Sequence, residues 1–194
     1  MAEALGGRWV KAGHDVMVGG RSPDRAAEVA ARIGASAGSL QEATTYGEVL
    51  LLAVPAEVAV PVLTGLEIEA GRILIDCTNA VNQQDFTLDL AMAEVIAPAV
   101  PQVKVVKAFN LAADTVWRNP PAGLGVPICG DHGVELVAGL VRDLGCEPVA
   151  AGGLVRAKLL EATAALAIGI WVGGGDVRGM FPAPAAALGT IPPG

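Results

Sequence analysis

Apolar positions along this 194-residue chain alternate between helical and strand-like spacing. In the opening MAEALGGRWVKAG, Leu5, Trp9 and Val10 share one helical face and Gly13 stands where a helix stops. HDVMVGG then reads as a strand. PDRAAEVAARIG reads as a helix with Ser22 at the N-cap, Pro23 in the first helical position and Gly34 past the end. GEVLLLAVP is a continuous apolar strand closed by Pro55, and AEVAVPVLTGL resumes as a helix interrupted at Pro61. GRILIDCTN is the next strand. A long connection with a weaker helical stretch, Leu88 to Ile96, leads to the strand KVVKAFN. GVPICGD and GVELVAGLVRDLG form a further strand and helix, CEPVAAGG a last short strand, and LVRAKLLEATAALAIGIWV one long closing helix.

Strands alternating with helix-sized connections predict an α/β, Rossmann-like domain: a doubly wound, mostly parallel sheet in a single unit over residues 1–172. Consecutive strands are expected to join by right-handed crossovers, with ligands beyond their carboxyl ends. The informative positions are then Gly20-Arg21, Val54-Pro55, Thr78-Asn79, Phe109-Asn110 and Gly130-Asp131. Residues 173–194 are rich in Gly, Pro and Ala and read as an ordered start followed by a loose tail.

Composition sharpens this picture. Hydrophobic residues make up 53% and charged ones 17%, against about 25% charged in an average soluble domain, as befits strands buried on both faces. The net charge of −7 and the absence of a Lys/Arg-rich run argue against nucleic-acid binding. Cys77, Cys129 and Cys146 form no CxxC pair and lie in or beside apolar runs, as buried thiols in a reducing compartment would. With His14 and His132 the only histidines, no metal site is expected. No signal segment opens the chain, and ATAALAIGIWV is shorter than the roughly 20 residues of a membrane span. A cytoplasmic protein without membrane partners is the expectation.

The chemistry concentrates after the strand HDVMVGG. Arg21 at its end, Arg25 one turn into the helix, Ser22 and the first free backbone N–H groups make a cup for a doubly charged phosphate. In a dinucleotide-binding fold the adenosine ribose lies there, and no acid stands between Val16 and Ser22 to take its hydroxyls. The anion is then the 2′-phosphate of NADP; two solvated surface arginines are the alternative. The same fold needs a strand and a G-x-G-x-x-G turn ahead of the first helix, and here that helix comes first. The expectation is two neighbouring strands with unpaired edges and an uncovered core between them.

The segments KAGHDVMVGGRSPDRA, LLLAVPAEV, ILIDCTNAV, VVKAFN, VPICGD and AGGLVRAKLLEATAAL, in this order, resemble the NADPH-dependent F420 reductase (F420H2:NADP oxidoreductase) family from Met1 to about Phe181. The resemblance implies that Gly20, Arg21 and Arg25 hold the 2′-phosphate and that Val54, Pro55 and Val58 follow the ribose and pyrophosphate. It places Asn79 near the nicotinamide, and Asn110 and Leu154 near the second substrate. It further implies direct hydride transfer between NADP(H) and F420 or a flavin-like acceptor, with alignment of two cofactors in place of acid–base catalysis. Ala112-Ala113-Asp114 departs from the family where the deazaflavin pocket is shaped, which leaves the acceptor open.

No catalytic constellation stands out in the residues themselves. His14 reads as structural, Asp76 as a cap for backbone N–H groups, and Lys158 with Glu161 as a solvated pair on one helical face. The closing helix, apolar most of the way round, could pair with its copy in a homodimer. A non-catalytic NADPH-binding module, sensing redox state or docking on a partner, explains the missing acid–base residues equally well.

Overall fold

A computed structural model describes residues 1–88 and 90–180; the last part of the Gly/Pro/Ala-rich tail, from 181 onward, lies outside them. The chain runs α1 (Ala2–Lys11), β1 (Met17–Gly20), α2 (Pro23–Ile33), β2 (Ser36–Ser39), α3 (Leu40–Tyr46), β3 (Val49–Leu52), α4 (Ala56–Thr64), β4 (Ile73–Asp76), α5 (Met92–Ala99), β5 (Lys104–Lys107), α6 (Asp114–Arg118), β6 (Gly125–Gly130), α7 (Val134–Arg142), β7 (Glu147–Ala150) and α8 (Ala157–Val172). The fold is α/β, Rossmann-like and mostly parallel, with helices on both faces and a closing C-terminal helix.

The alternating strands explain the two-sided core. On β4 and β5, Ile75 and Val106 point to the face covered by α1, α6 and α7, where Leu5, Trp9, Trp117, Val137 and Val141 are buried. Leu74 and Val105 point to the other face, against Leu63 of α4 and Ile96 of α5. Both faces of β4 and β5 carry buried apolar clusters, which accounts for the apolar runs.

The strands do not form one sheet. β1 pairs with β2 in parallel, Met17 opposite Ser36. β3, β4 and β5 pair in parallel, Val49 opposite Ile73 and Ile73 opposite Lys104. Among the described residues β1 has no partner besides β2, and β3 none besides β4. Between them lies a cleft of about 710 Å³, lined by Val18, Gly19, Val49, Leu51 and residues of the helices above and below. These are the unpaired edges and open core expected from the sequence.

Several local expectations need correction. β6 runs antiparallel to β5, with Lys107 opposite Cys129, and β7 follows β6. The carboxyl end of β6, Gly130-Asp131, therefore lies at the opposite edge from those of β3, β4 and β5. α4 continues through Pro61, and α5 begins at Met92 rather than Leu88, which instead bridges Val81. The closing helix starts with a 3-10 turn, Leu154–Arg156, before α8. The sequence reading passed over β2, α3 and α6. For α3 a signal existed: Ser39 accepts from the Glu42 N–H while the Glu42 carboxylate accepts from the Ser39 N–H, a complete capping box.

Candidate functional site

The carboxyl ends of β1, β3, β4 and β5 carry all of the candidate binding residues except Leu154. After β1, Ser22 caps α2 in extended conformation, its hydroxyl accepting the Arg25 N–H at 3.4 Å, and Pro23 opens the helix. Gly20 lies close under α2, since a Cβ there would meet that of Ala26 at 3.4 Å. Arg21 and Arg25 are exposed, and among the described residues neither guanidinium makes an ion pair or side-chain hydrogen bond. Arg32 and Arg118, by contrast, both reach Glu3, at 3.2 and 3.3 Å. Those guanidiniums hold the Glu3 carboxyl below its usual range. After β3, exposed Pro55 caps α4, its carbonyl accepting the Val58 N–H, with Val54 and Val58 half-buried beside it.

After β4 and β5 two asparagines clasp each other. The Asn79 side-chain amide donates to the Asn110 carbonyl at 2.8 Å, and the Asn110 amide donates to Asn79 Oδ1 at 2.9 Å. Asn110 is 5% exposed, and among the described residues no donor meets its buried Oδ1. Its position is held by an aromatic clamp. Phe109 takes a left-handed backbone, φ +63°, rare for a bulky side chain. Its ring meets Trp9 and Trp117 edge-on at 5.7 and 5.4 Å, and the Trp117 indole N–H donates to the carbonyls of Phe109 and Ala112. Trp117→Phe keeps the ring contact and removes the donor. It is expected to cost about 1–3 kcal/mol of stability by urea denaturation, with faster amide exchange at Asn110 and Leu111.

Directly beneath sits a charge cluster missed in the sequence. Lys107 is fully buried, with its ammonium 2.9 Å from Asp76 and 2.9 Å from Glu161, both also fully buried. Its third donor goes to the Thr78 carbonyl. Asp76 takes the Thr78 N–H and hydroxyl, the backbone cap expected of it, and pairs with Lys107 besides. Glu161 accepts the N–H groups of Met92 and Ala93, the free donors at the start of α5. The solvated Lys158–Glu161 pair is thus not present: Lys158 faces outward to Glu94 at 3.1 Å while Glu161 points into the core. A signal lay in the register, a lysine and an aspartate ending adjacent apolar strands. The cluster has no solvent access, so it fixes the strand ends and is not placed to exchange protons.

Leu154 follows β7: its N–H donates to Asp131 beyond the carboxyl end of β6, and its side chain packs against the same core cluster as Val54. His14 bonds Asp143 at 2.8 Å, tying the turn after α1 to the end of α7. Burial pushes the Cys77 thiol up to about 12, and it donates to the Leu52 carbonyl. All three cysteines are free and buried.

The model of the family "NADP oxidoreductase coenzyme F420-dependent" matches residues 1–80, in keeping with the resemblance read from the sequence. The chain is 32% identical over 165 residues to metalloreductase STEAP3 of Rattus norvegicus, covering 83% of this chain and 34% of the rat protein. It spans about a third of the length of the curated relatives it matches. Among solved structures it superposes on a putative F420-dependent NADP reductase from Arthrobacter sp. FB24 with a TM-score of 0.78. The identity is 22%, with 89% of this chain and 90% of that one covered. A reductive aminase from Aspergillus terreus in complex with NADPH matches with a TM-score of 0.65 at 18% identity, covering 97% and 66% of the two chains. No helix among the described residues is long and apolar enough to cross a membrane.

Proposed function

We infer that this chain is an NADP(H)-binding oxidoreductase domain that passes a hydride between the nicotinamide cofactor and F420 or a flavin-like acceptor. The observation that carries the reading is the pair of unengaged guanidiniums, Arg21 and Arg25, around the N-terminus of α2. A phosphate monoester suits that end: two guanidiniums and a hydroxyl are carried by one short stretch at a helix N-terminus. The pyrophosphate end is less furnished. α1 offers its first backbone N–H groups but no side-chain cap, and Glu3 in its first turn is masked by Arg32 and Arg118.

When bound, the dinucleotide supplies the hydride; the chain's residues bind, orient and exclude water. Gly20, Arg21, Ser22 and Arg25 hold the 2′-phosphate, and Val54, Pro55 and Val58 give the ribose and pyrophosphate an apolar wall. Asn79 fixes Asn110, whose unmatched Oδ1 is an acceptor for an N–H or O–H of a ring placed over the strand ends. Leu154 is the further residue assigned to the acceptor. The exposed Leu159, Leu166 and Trp171 of α8 support a homodimer through that helix. The non-catalytic NADPH-binding module remains the second reading, favoured by the inaccessibility of Lys107, Asp76 and Glu161.

Calorimetric titration with NADPH and NADH tests the cofactor, and absorbance assays with F420, FMN and a ferric chelate test the acceptor; the ferric chelate is included because the rat relative is named a metalloreductase. NADPH is expected to bind about 10–100-fold more tightly than NADH, the worth of one or two charged hydrogen bonds, and to reduce F420 or FMN. Tight NADPH binding without turnover of any acceptor selects the second reading. Equal or absent binding of both dinucleotides overturns both.

A further inference from the structure

We propose that Lys107 and Thr78 are positioning residues, which aim the Asn79–Asn110 pair at the ring of a bound ligand without touching that ligand. The proposal deepens the reading above and rests on it, taking Asn79 to lie along the nicotinamide and Asn110 to meet the acceptor. The Thr78 carbonyl and the Asn79 N–H belong to one planar peptide unit. A group that grips that carbonyl therefore sets the direction in which Asn79 leaves the end of β4. The Lys107 ammonium is that group. Asp76 holds the same threonine elsewhere: its Oδ1 accepts the Thr78 N–H at 2.8 Å and the Thr78 hydroxyl at 2.6 Å. Thr78 is thus fixed at its N–H, its hydroxyl and its carbonyl, and it is buried.

Lys107 acts on the second asparagine through the chain. It ends β5, and only Ala108 and Phe109 separate it from Asn110. The Phe109 ring is clamped by Trp9 and Trp117, and its carbonyl accepts the Trp117 indole N–H. With the Asn110 amide nitrogen committed to Asn79, the planar carboxamide leaves its Oδ1 one direction to face. The ammonium is itself held: its three donors go to Asp76, Glu161 and Thr78, the full complement of a lysine. Glu161 also takes the first N–H groups of α5, so β4, β5, α5 and α8 are all referenced to one buried point. Stability alone does not call for this arrangement. An intact buried ionic cluster rarely outperforms apolar side chains of the same volume, and its best-attested use is to select one geometry among several. The geometry selected here is that of the peptide unit leading into the asparagine pair.

The test compares Thr78→Val, Thr78→Ser and Lys107→Met with the native full chain, and with Val100→Ala as a destabilised control. Val100 is buried at the end of α5, on the amino-terminal side of β5, whereas both asparagines follow carboxyl ends of strands. Thr78→Val keeps the shape and the backbone bonds and removes only the hydroxyl donor, so it gives a folded variant where Lys107→Met fails to fold. The first readout needs no dinucleotide: exchange of the Asn79 and Asn110 side-chain amide protons, followed by NMR. It is expected to quicken about tenfold in Thr78→Val and further in Lys107→Met, and to return toward the native rate in Thr78→Ser. Val100→Ala should lower the thermal midpoint and leave these protons unchanged. The second readout is single-turnover hydride transfer at saturating NADPH and F420 or FMN. It is expected to fall about 10–100-fold in Thr78→Val, with the NADPH dissociation constant within about twofold of native. An equal loss in Val100→Ala makes the effect general destabilisation and overturns the proposal. Either readout staying native in Thr78→Val overturns it too. A native chain that binds NADPH but reduces no acceptor counts against the hydride-transfer reading instead, and the amide exchange then decides the positioning role alone.

Discussion

Lys107→Met is expected to lower the free energy of unfolding by about 3–5 kcal/mol, measured by urea denaturation followed by circular dichroism. The side chain is fully buried and is the counter-charge for two fully buried carboxylates, each 2.9 Å away. Methionine fills much of the volume, so the loss comes from electrostatics rather than a cavity. Asp76 keeps the Thr78 N–H and hydroxyl, and Glu161 keeps the N–H groups of Met92 and Ala93. Those donors do not neutralise two negative charges held close together in the core. Adding Glu161→Gln to Lys107→Met should recover part of the loss by removing one of the facing charges. A single-variant cost under about 1 kcal/mol, the range of an exposed ion pair, would show that solvent reaches the cluster.

That cluster marks the limit of what the chain's pattern could reveal. α2 was legible end to end because each of its boundaries is written locally: Ser22, Pro23 and Gly34 each have one strong conformational preference. The strands β3, β4 and β5 were legible from their apolar runs, Val49–Leu52, Ile73–Ile75 and Val105–Val106. Their partners were not. Periodicity carries no direction, so the antiparallel entry of β6 was invisible. Pro61 was read as a break although the helix absorbs it. Glu161 was read as solvated because the ammonium it meets lies on a distant strand; helical spacing pairs it with Lys158, whereas the fold pairs it with Lys107. The Asn79–Asn110 clasp belongs to the same class, two residues noticed separately whose mutual hydrogen bonds exist only once β4 and β5 are adjacent. The split between β1 and β3 was legible for the opposite reason, because the topology of a doubly wound sheet requires a strand there.

The second large effect falls on the cofactor end. Arg21→Ala is expected to weaken NADPH binding about 10–100-fold while leaving NADH binding unchanged, by calorimetry at low salt. The guanidinium stands at the end of β1 with no competing carboxylate among the described residues, so nothing inside the protein needs releasing before it takes a phosphate. Arg21→Lys should recover only part of the affinity, since an ammonium restores the charge but not the two-pronged geometry. Arg25→Ala should weaken NADPH less, because that side chain sits one turn inside α2 and its backbone N–H is already held by Ser22. Ser22→Ala separates binding from folding: it removes the helix cap, worth about 1 kcal/mol of stability, so its thermal midpoint should fall where those of the arginine variants do not. Because both arginines are exposed, the discrimination should narrow at high ionic strength. If Arg21→Ala weakens NADPH and NADH alike, the side chain touches a part common to both dinucleotides and the cup is not built for a 2′-phosphate. If it weakens neither, the two arginines are solvated surface charge, and the assignment of the carboxyl end of β1 to the adenosine ribose falls with them.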